Sequence, residues 1–300
     1  MLFLITGNHN RSQLLSFKSV VIDFYKFFDY KTGDKMGNNK KRRNWLRILF
    51  IGFMIYIATI FTLVLTGNIN LFPSIVLIGN FLVPVAFVSF FYERREWFSV
   101  NMSATAMCFF YGGALGTIAA SLLEPVFIHE LTFLSAFMVG IIEEFTKLIG
   151  VFIIARHRRY NSILDGIILG SAAGMGFAAF ESTGYAFTSF LQSGGSLSQT
   201  VFITLLRGIA SPVGHGTWTA ILASVLLRES VHGRFFINKK VIRAYITVVA
   251  LHGLWDGLPL VINYIFPSVY SVLIGQLTLG LVGFFILYRR WKESKLEFEL

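Results

Sequence analysis

Charge is what this sequence has least of. Asp, Glu, Lys and Arg make up 14% of its 300 residues, where a soluble domain carries about 25%. Hydrophobic residues reach 55% and the mean hydropathy is +0.66, so too few polar side chains exist to coat a water-facing surface. The composition excludes an ordinary soluble domain and leaves one multi-helix membrane domain. Cysteine is nearly absent: Cys108 stands alone, which excludes internal disulfides and Cys-rich metal sites. The opening MLFLITGNHNRSQ is too short for a signal peptide and lacks its basic leader. Low-complexity linkers and internal repeats are missing, and so are the familiar hydrolase signatures. There is no Gly-x-Ser-x-Gly elbow. The stretch His129-Glu130-Leu-Thr-Phe133 lacks the second histidine of a zinc-protease helix. Asp165 and Asp256 lack the Gly-x-Gly-Asp setting of presenilin-like aspartyl proteases.

What is present is hydrocarbon in blocks. Helical spans need about 20 apolar residues, and the chain offers about eight, near 45–66, 71–92, 103–122, 131–155, 163–188, 200–227, 243–264 and 269–288. Of the 26 Lys and Arg, all but Lys147 and Arg207 fall on one side of that arrangement. The positive-inside rule then puts both termini in the cytosol. The expected fold is all-α, a polytopic membrane helical bundle of about eight transmembrane helices with both termini cytosolic. Residues 1–43 read as a basic, amphipathic cytosolic segment, 44–288 as the transmembrane domain, and 289–300 as a cytosolic tail. The net charge of +10 is accounted for by topology, so the lipid bilayer is the expected partner and nucleic acid is not. The first two spans read as lipid-facing scaffold. Span five carries Gly166, Gly170 and Gly174, small residues at a spacing that lets another helix approach closely.

Ionisable side chains within a bilayer cost about 2.5–3.5 kcal/mol or more each, and by default they mark a functional site or its support. The ones to explain are Glu143, Glu144, Lys147, Glu181, Arg207, His215, His252 and Asp256, all in spans four to seven. At about 1.5 Å rise per residue, the glutamates and histidines come out in one layer near mid-bilayer. Glu143 and Lys147 are four apart, a favourable acid-then-base order, which leaves Glu144 without a local partner. His252 and Asp256 are also four apart, as needed for a carboxylate to orient an imidazole. Around His215 the run SPVGHG loosens the helix, a break tolerated where a cavity is lined. Arg207 lies near the outer face and is expected to snorkel.

Acids, imidazoles and water in a low-dielectric pocket are the parts of a hydrolase. A desolvated carboxylate can serve as general base near neutrality, and imidazoles, with or without a metal, can support the oxyanion. Two other readings use the same residues: a proton relay in a coupled transporter, and a catalytically silent scaffold.

The ordered set resembles one family. Glu143-Glu144-Phe-Thr-Lys147 is similar to the EExxK motif of the PrsW intramembrane proteases, and Phe177-Ala-Ala-Phe-Glu181 to their FxxxE motif. His215 resembles their isolated helix histidine, and His252-Gly-Leu-Trp-Asp256 their HxxxD motif. Together these cover about residues 131–260. The related CAAX-prenyl proteases differ in the basic residue's spacing and in having histidine where Glu181 stands. The resemblance implies a bacterial inner-membrane protease that hydrolyses a peptide bond in or near the transmembrane segment of a single-pass membrane protein, in the manner of anti-sigma-factor processing. It implies catalytic roles for Glu143, Glu144, Glu181, His215 and His252, with Lys147, Asp256 and Phe177 in support. Either glutamate is a candidate base. Any metal would be Zn²⁺ held by Glu181, His215 and His252; related proteases are also described as glutamate-type enzymes that need none.

Overall fold

The computed structural model describes residues 43–94, 99–156, 160–231, 234–266 and 268–296. The expected membrane-surface segment, residues 1–43, lies outside them up to residue 42. Regular structure among the described residues is helical, apart from one isolated bridge between Val231 and Arg234. The helices are α1 (Asn44–Thr66), α2 (Phe72–Tyr92), α3 (Met102–Phe110), α4 (Gly116–Phe127), α5 (Phe133–Ala155), α6 (Ile163–Gln192), α7 (Leu197–Ala210), α8 (Thr217–Arg228), α9 (Lys239–Ile265) and α10 (Val269–Leu296). Single π-turns join α3 to α4 through Tyr111–Leu115 and α7 to α8 through Pro212–Gly216. The chain is therefore a polytopic helical bundle. Among the described residues six helical rods are long and apolar enough to cross a membrane. The other two, α5 and the broken α7–α8, hold most of the intramembrane charge.

Local sequence accounts for the ends that matter. The Thr132 side chain accepts from the Ser135 amide while Ser135 reaches back to the Thr132 amide, a capping box that starts α5. Ser162 and Asp165 repeat the device at α6. Asp165 also accepts from the Ser99 amide, so it fastens a helix start, while Asp256 lies at the central cavity. An aspartyl pair does not form.

Helix α6 is the axis of the bundle, with 94% of its most apolar window buried. Its glycines explain why. A Cβ at Gly166 would lie 2.4 Å from the Ala223 carbonyl oxygen, at Gly170 2.5 Å from that of Thr219, and at Gly174 2.2 Å from that of His215. The stripe is thus a packing face, as its spacing predicts, and its partner is α8 with the π-turn before it. Backbone contact at Gly174 fixes where His215 can stand. A second close approach, absent from the sequence reading, joins α5 to α9: a Cβ at Gly140 would meet the Val249 carbonyl at 3.0 Å and His252 Cβ at 3.2 Å. Gly253 packs equally tightly on Phe137.

The periphery differs from expectation in one respect. Helix α1 is peripheral, 11% of its window being buried, but α2 is 39% buried. Its Ile75 and Asn80 are 0% and 1% exposed, so α2 is an inner wall. Hydropathy cannot separate a lipid-facing helix from a buried one, because side-chain packing and lipid tails are equally apolar.

Candidate active site

Four rods bring their polar residues to one place. Glu143, Glu144 and Lys147 come from α5, Phe177 and Glu181 from α6, His215 from the π-turn, and His252 and Asp256 from α9. They meet at the inner end of a cavity of about 720 Å³. Glu143, Phe177, Glu181, His215, His252 and Asp256 line it, whereas Glu144 and Lys147 stand behind them.

Lys147 is the hub. Its ammonium is fully buried and lies 2.7 Å from Glu144 Oε1, 3.0 Å from Glu143 Oε2 and 2.7 Å from His215 Nδ1. An ammonium has three N–H groups to donate, and here it faces three acceptors. It also sits 4.6 Å from the centroid of the Phe177 ring, the contact that gives the FxxxE phenylalanine a purpose.

The two glutamates differ. Glu144 is 0% exposed; besides Lys147 it meets His252 Nδ1 at 3.0 Å and the Thr219 hydroxyl at 3.1 Å. The expectation that Glu144 lacks a partner is therefore wrong: residues three apart are helix neighbours as surely as residues four apart, and α8 and α9 complete its shell. Glu143 faces the other way. Its Oε2, the atom paired with Lys147, is also within 3.6 Å of His215 Nδ1 and 3.5 Å of His252 Nε2.

These contacts assign the imidazoles. An ammonium only donates, so His215 accepts at Nδ1 and carries its proton on Nε2, which points at Glu181 Oε2 3.3 Å away. His252 donates from Nδ1 to Glu144 and presents Nε2 to the cavity, near Glu143 and 3.3 Å from Asp256. Its orienting carboxylate is thus Glu144 on another helix, with the sequence neighbour Asp256 on the cavity side. The rings stand 5.3 Å apart over Trp218, whose indole stacks 4.7 Å from His252.

Arg207 does not snorkel. It turns inward, meeting Glu181 Oε2 at 2.8 Å and the Ser182 hydroxyl at 3.0 Å, with its guanidinium over the Tyr185 ring. A carboxylate within reach outweighs the path to water. Glu124 joins the cavity as well, because α4 continues to Phe127 past the expected end of its span. The intramembrane charge is therefore not confined to spans four to seven. A polar residue counted as loop was the available signal. The near-motif His129 lies in the exposed turn between α4 and α5.

Glu143, His215 and His252 each offer a ligand atom within 4.8 Å of the others. One carboxylate and two imidazoles beside an open cavity suit a catalytic zinc ion. Glu143 Oε2 carries the Lys147 ammonium at 3.0 Å and lies 3.6 and 3.5 Å from the two imidazoles, so an ion between those rings would meet a carboxylate already facing it. This set holds Glu143 in place of the expected Glu181, whose Oε2 is engaged by Arg207. His215 would take part either by turning Nε2 from Glu181 or by releasing Lys147 from Nδ1, so an ion displaces one of two contacts.

Residues 101–288, well over half of the chain, match the family described as "PrsW family intramembrane metalloprotease". The chain is 26% identical over 180 residues to Protease PrsW of Halalkalibacterium halodurans, covering 58% of this chain and 78% of that one. It is 24% identical over 132 residues to Protease PrsW of Oceanobacillus iheyensis, covering 43% and 56% respectively. No solved structure matches.

Proposed function

The chain belongs to the PrsW family of intramembrane metalloproteases, and from that premise we propose that Glu143 is the carboxylate that activates water for peptide hydrolysis. A membrane-embedded endopeptidase must admit water and peptide to a buried site, and the cavity in front of Glu143 does so. The observation that carries the proposal is the asymmetry of the two glutamates: Glu143 lines the cavity, while Glu144 is closed off behind it.

In this reading Glu143 takes a proton from water held between its carboxylate and the two imidazoles. Lys147 supplies the counter-charge for the two adjacent carboxylates. Glu144 accepts the Nδ1 proton of His252 and so turns Nε2 toward the cavity. Glu181, fixed by Arg207, holds His215. Asp256 faces the same water and is placed to receive or pass on a proton. Glu143, His215 and His252 are also the residues that would hold a Zn²⁺ ion. When bound, such an ion supplies a water of lowered pKa and a Lewis acid for the scissile carbonyl. A carboxylate has two oxygens, so holding an ion and accepting a proton are compatible duties for Glu143.

Topology names the substrate side. The cavity is lined from the end of α4, the last turns of α6 and the latter half of α9, the ends remote from the basic loops. With both termini cytosolic by the positive-inside rule, the site opens toward the extracytoplasmic face of a bacterial inner membrane. The substrate is then a single-pass membrane protein cut near the outer end of its transmembrane segment.

The test is cleavage of a panel of epitope-tagged single-pass membrane proteins by the reconstituted chain, with and without chelator. Cleavage that chelator stops and Zn²⁺ restores supports the reading. Cleavage indifferent to chelator removes the metal, and an intact panel from folded protein returns the chain to a scaffold or a transporter.

A further inference from the structure

A second cavity, of about 800 Å³, lies at the other end of the bundle. Helix α6 runs from Ile163, which lines this one, to Thr188, which lines the first; at 1.5 Å per residue that is about 37 Å. Four cations line the second cavity, Arg228, Lys240, Arg243 and Arg290, against two acids, Glu229 and Glu293.

Both acids are already engaged. Glu229 binds the Lys240 ammonium at 2.8 Å and the Asn238 amide at 2.6 Å, and Glu293 is paired with Arg290. Arg290 is pinned in addition by Ser224, through its hydroxyl and its carbonyl, both at 3.1 Å. The Arg243 side chain is exposed, and its guanidinium has no hydrogen bond or ion pair among the described residues. Four cations against two acids give the lining a positive balance, and Arg243 is the cation free to meet a ligand. Apart from Thr247 the cavity's remaining wall is aliphatic, including Ile221, Val225, Ala244 and Ile286.

Two features in one cavity point to one ligand chemistry. The cations suit a phosphate. The aliphatic wall, at the level where helices leave the hydrocarbon, suits an acyl chain. An anionic phospholipid carries both, and basic pockets between transmembrane helices are suited to such head groups. We propose that this cavity binds the phosphodiester head group of an anionic phospholipid, with Arg228, Arg243 and Arg290 around the phosphate and an acyl chain along Ile221, Val225 and Ile286. The lipid would clasp the near ends of α8 and α9. Helix α8 begins two residues after His215, and α9 carries His252, so both site histidines belong to helices this lipid holds. The proposal rests on membrane embedding and not on the catalytic reading.

The experiment uses the full chain in nanodiscs of phosphatidylcholine with phosphatidylglycerol, extracted into detergent, with retained lipid read by native mass spectrometry. Wild type is expected to retain phosphatidylglycerol over phosphatidylcholine by roughly tenfold or more relative to the surrounding bilayer. Arg228→Gln/Arg243→Gln should bring that ratio near parity, while Arg243→Lys should keep most of it. Thermal unfolding of each variant establishes that it is folded. Equal retention of the two lipids by wild type, or an unchanged preference in folded Arg228→Gln/Arg243→Gln, overturns the proposal. Displacement of phosphatidylglycerol by millimolar inorganic phosphate also overturns it, and makes the cavity a site for the free anion.

Discussion

Replacing Lys147 by methionine is the perturbation whose outcome the site's electrostatics fix most firmly. The side chains are similar in length, so packing is largely kept and charge is what changes. The ammonium is fully buried and meets Glu144 at 2.7 Å, Glu143 at 3.0 Å and His215 at 2.7 Å. Without it two adjacent carboxylates, 0% and 5% exposed, lose their counter-charge. Removing one partner of a buried ion pair costs about 3–5 kcal/mol, because the other charge stays desolvated. Lys147→Met should therefore lower the unfolding free energy by about 3–5 kcal/mol, read by denaturant titration in bicelles, and abolish cleavage. The double variant Glu144→Gln/Lys147→Met removes one of the stranded charges. Its loss should be smaller than the sum of the single losses by about 1–3 kcal/mol. If Lys147→Met unfolds within about 0.5 kcal/mol of wild type, the scale of an ordinary surface change, the ammonium is not the counter-charge described and the reasoning fails.

Three further outcomes follow from named contacts. Gly174→Ala puts a Cβ 2.2 Å from the His215 carbonyl oxygen; overpacking should cost about 1–3 kcal/mol and reduce cleavage by shifting His215. Gly184→Ala, with nothing within 4 Å because it faces the cavity, should leave stability unchanged or higher, and equal stability losses in the two variants would contradict the assignment of the stripe. Arg207→Gln removes the fixed partner of Glu181 and should lower cleavage by roughly 10–100-fold, with Arg207→Lys between it and wild type; a full-rate Arg207→Gln enzyme would show that Glu181 needs no orientation. Hydrogen bonds from Lys240 and Asn238 hold the Glu229 carboxyl below the usual carboxylate range. A carboxyl lowered in the folded state stabilises it above the unfolded value of about 4.3 and loses that contribution as pH falls through the folded value. Amide exchange at Lys240 and Val241, corrected for intrinsic rate, should thus rise on acidification below about pH 4, and Glu229→Gln should remove most of that rise.

The sequence reading reached the membrane class, the helical rods and the residues that converge, because burying charge in lipid is expensive enough to make each polar residue informative. It also identified the Gly166–Gly174 stripe as a packing face, since small residues at that spacing have few other uses. It misjudged partners. The i,i+4 spacing pairs Lys147 with Glu143 and passes over its i,i+3 contact with Glu144, and no spacing on one helix shows His252 and Thr219 reaching Glu144 from α9 and α8. Arg207 was sent to the surface by depth, although a carboxylate from α6 holds it at 2.8 Å. Glu124 falls just past the expected span of 103–122, yet the helix runs to Phe127. Periodicity reports which face a residue occupies; the residue opposite depends on helix crossings set by Gly140 and Gly174, whose effect is visible only once both helices are placed.

The central claim is that the two adjacent glutamates divide the work, Glu143 meeting water and Glu144 orienting His252. The measurement that tests it most directly is turnover of a cleaved substrate by Glu143→Gln and Glu144→Gln in the same bilayer, each shown to be folded. The account predicts no detectable turnover for Glu143→Gln, and for Glu144→Gln a residual rate roughly 10–100-fold below wild type, the scale for an outer residue that orients a ligand. A Glu143→Gln enzyme that still turns over while Glu144→Gln is silent would reverse the two roles and contradict the account.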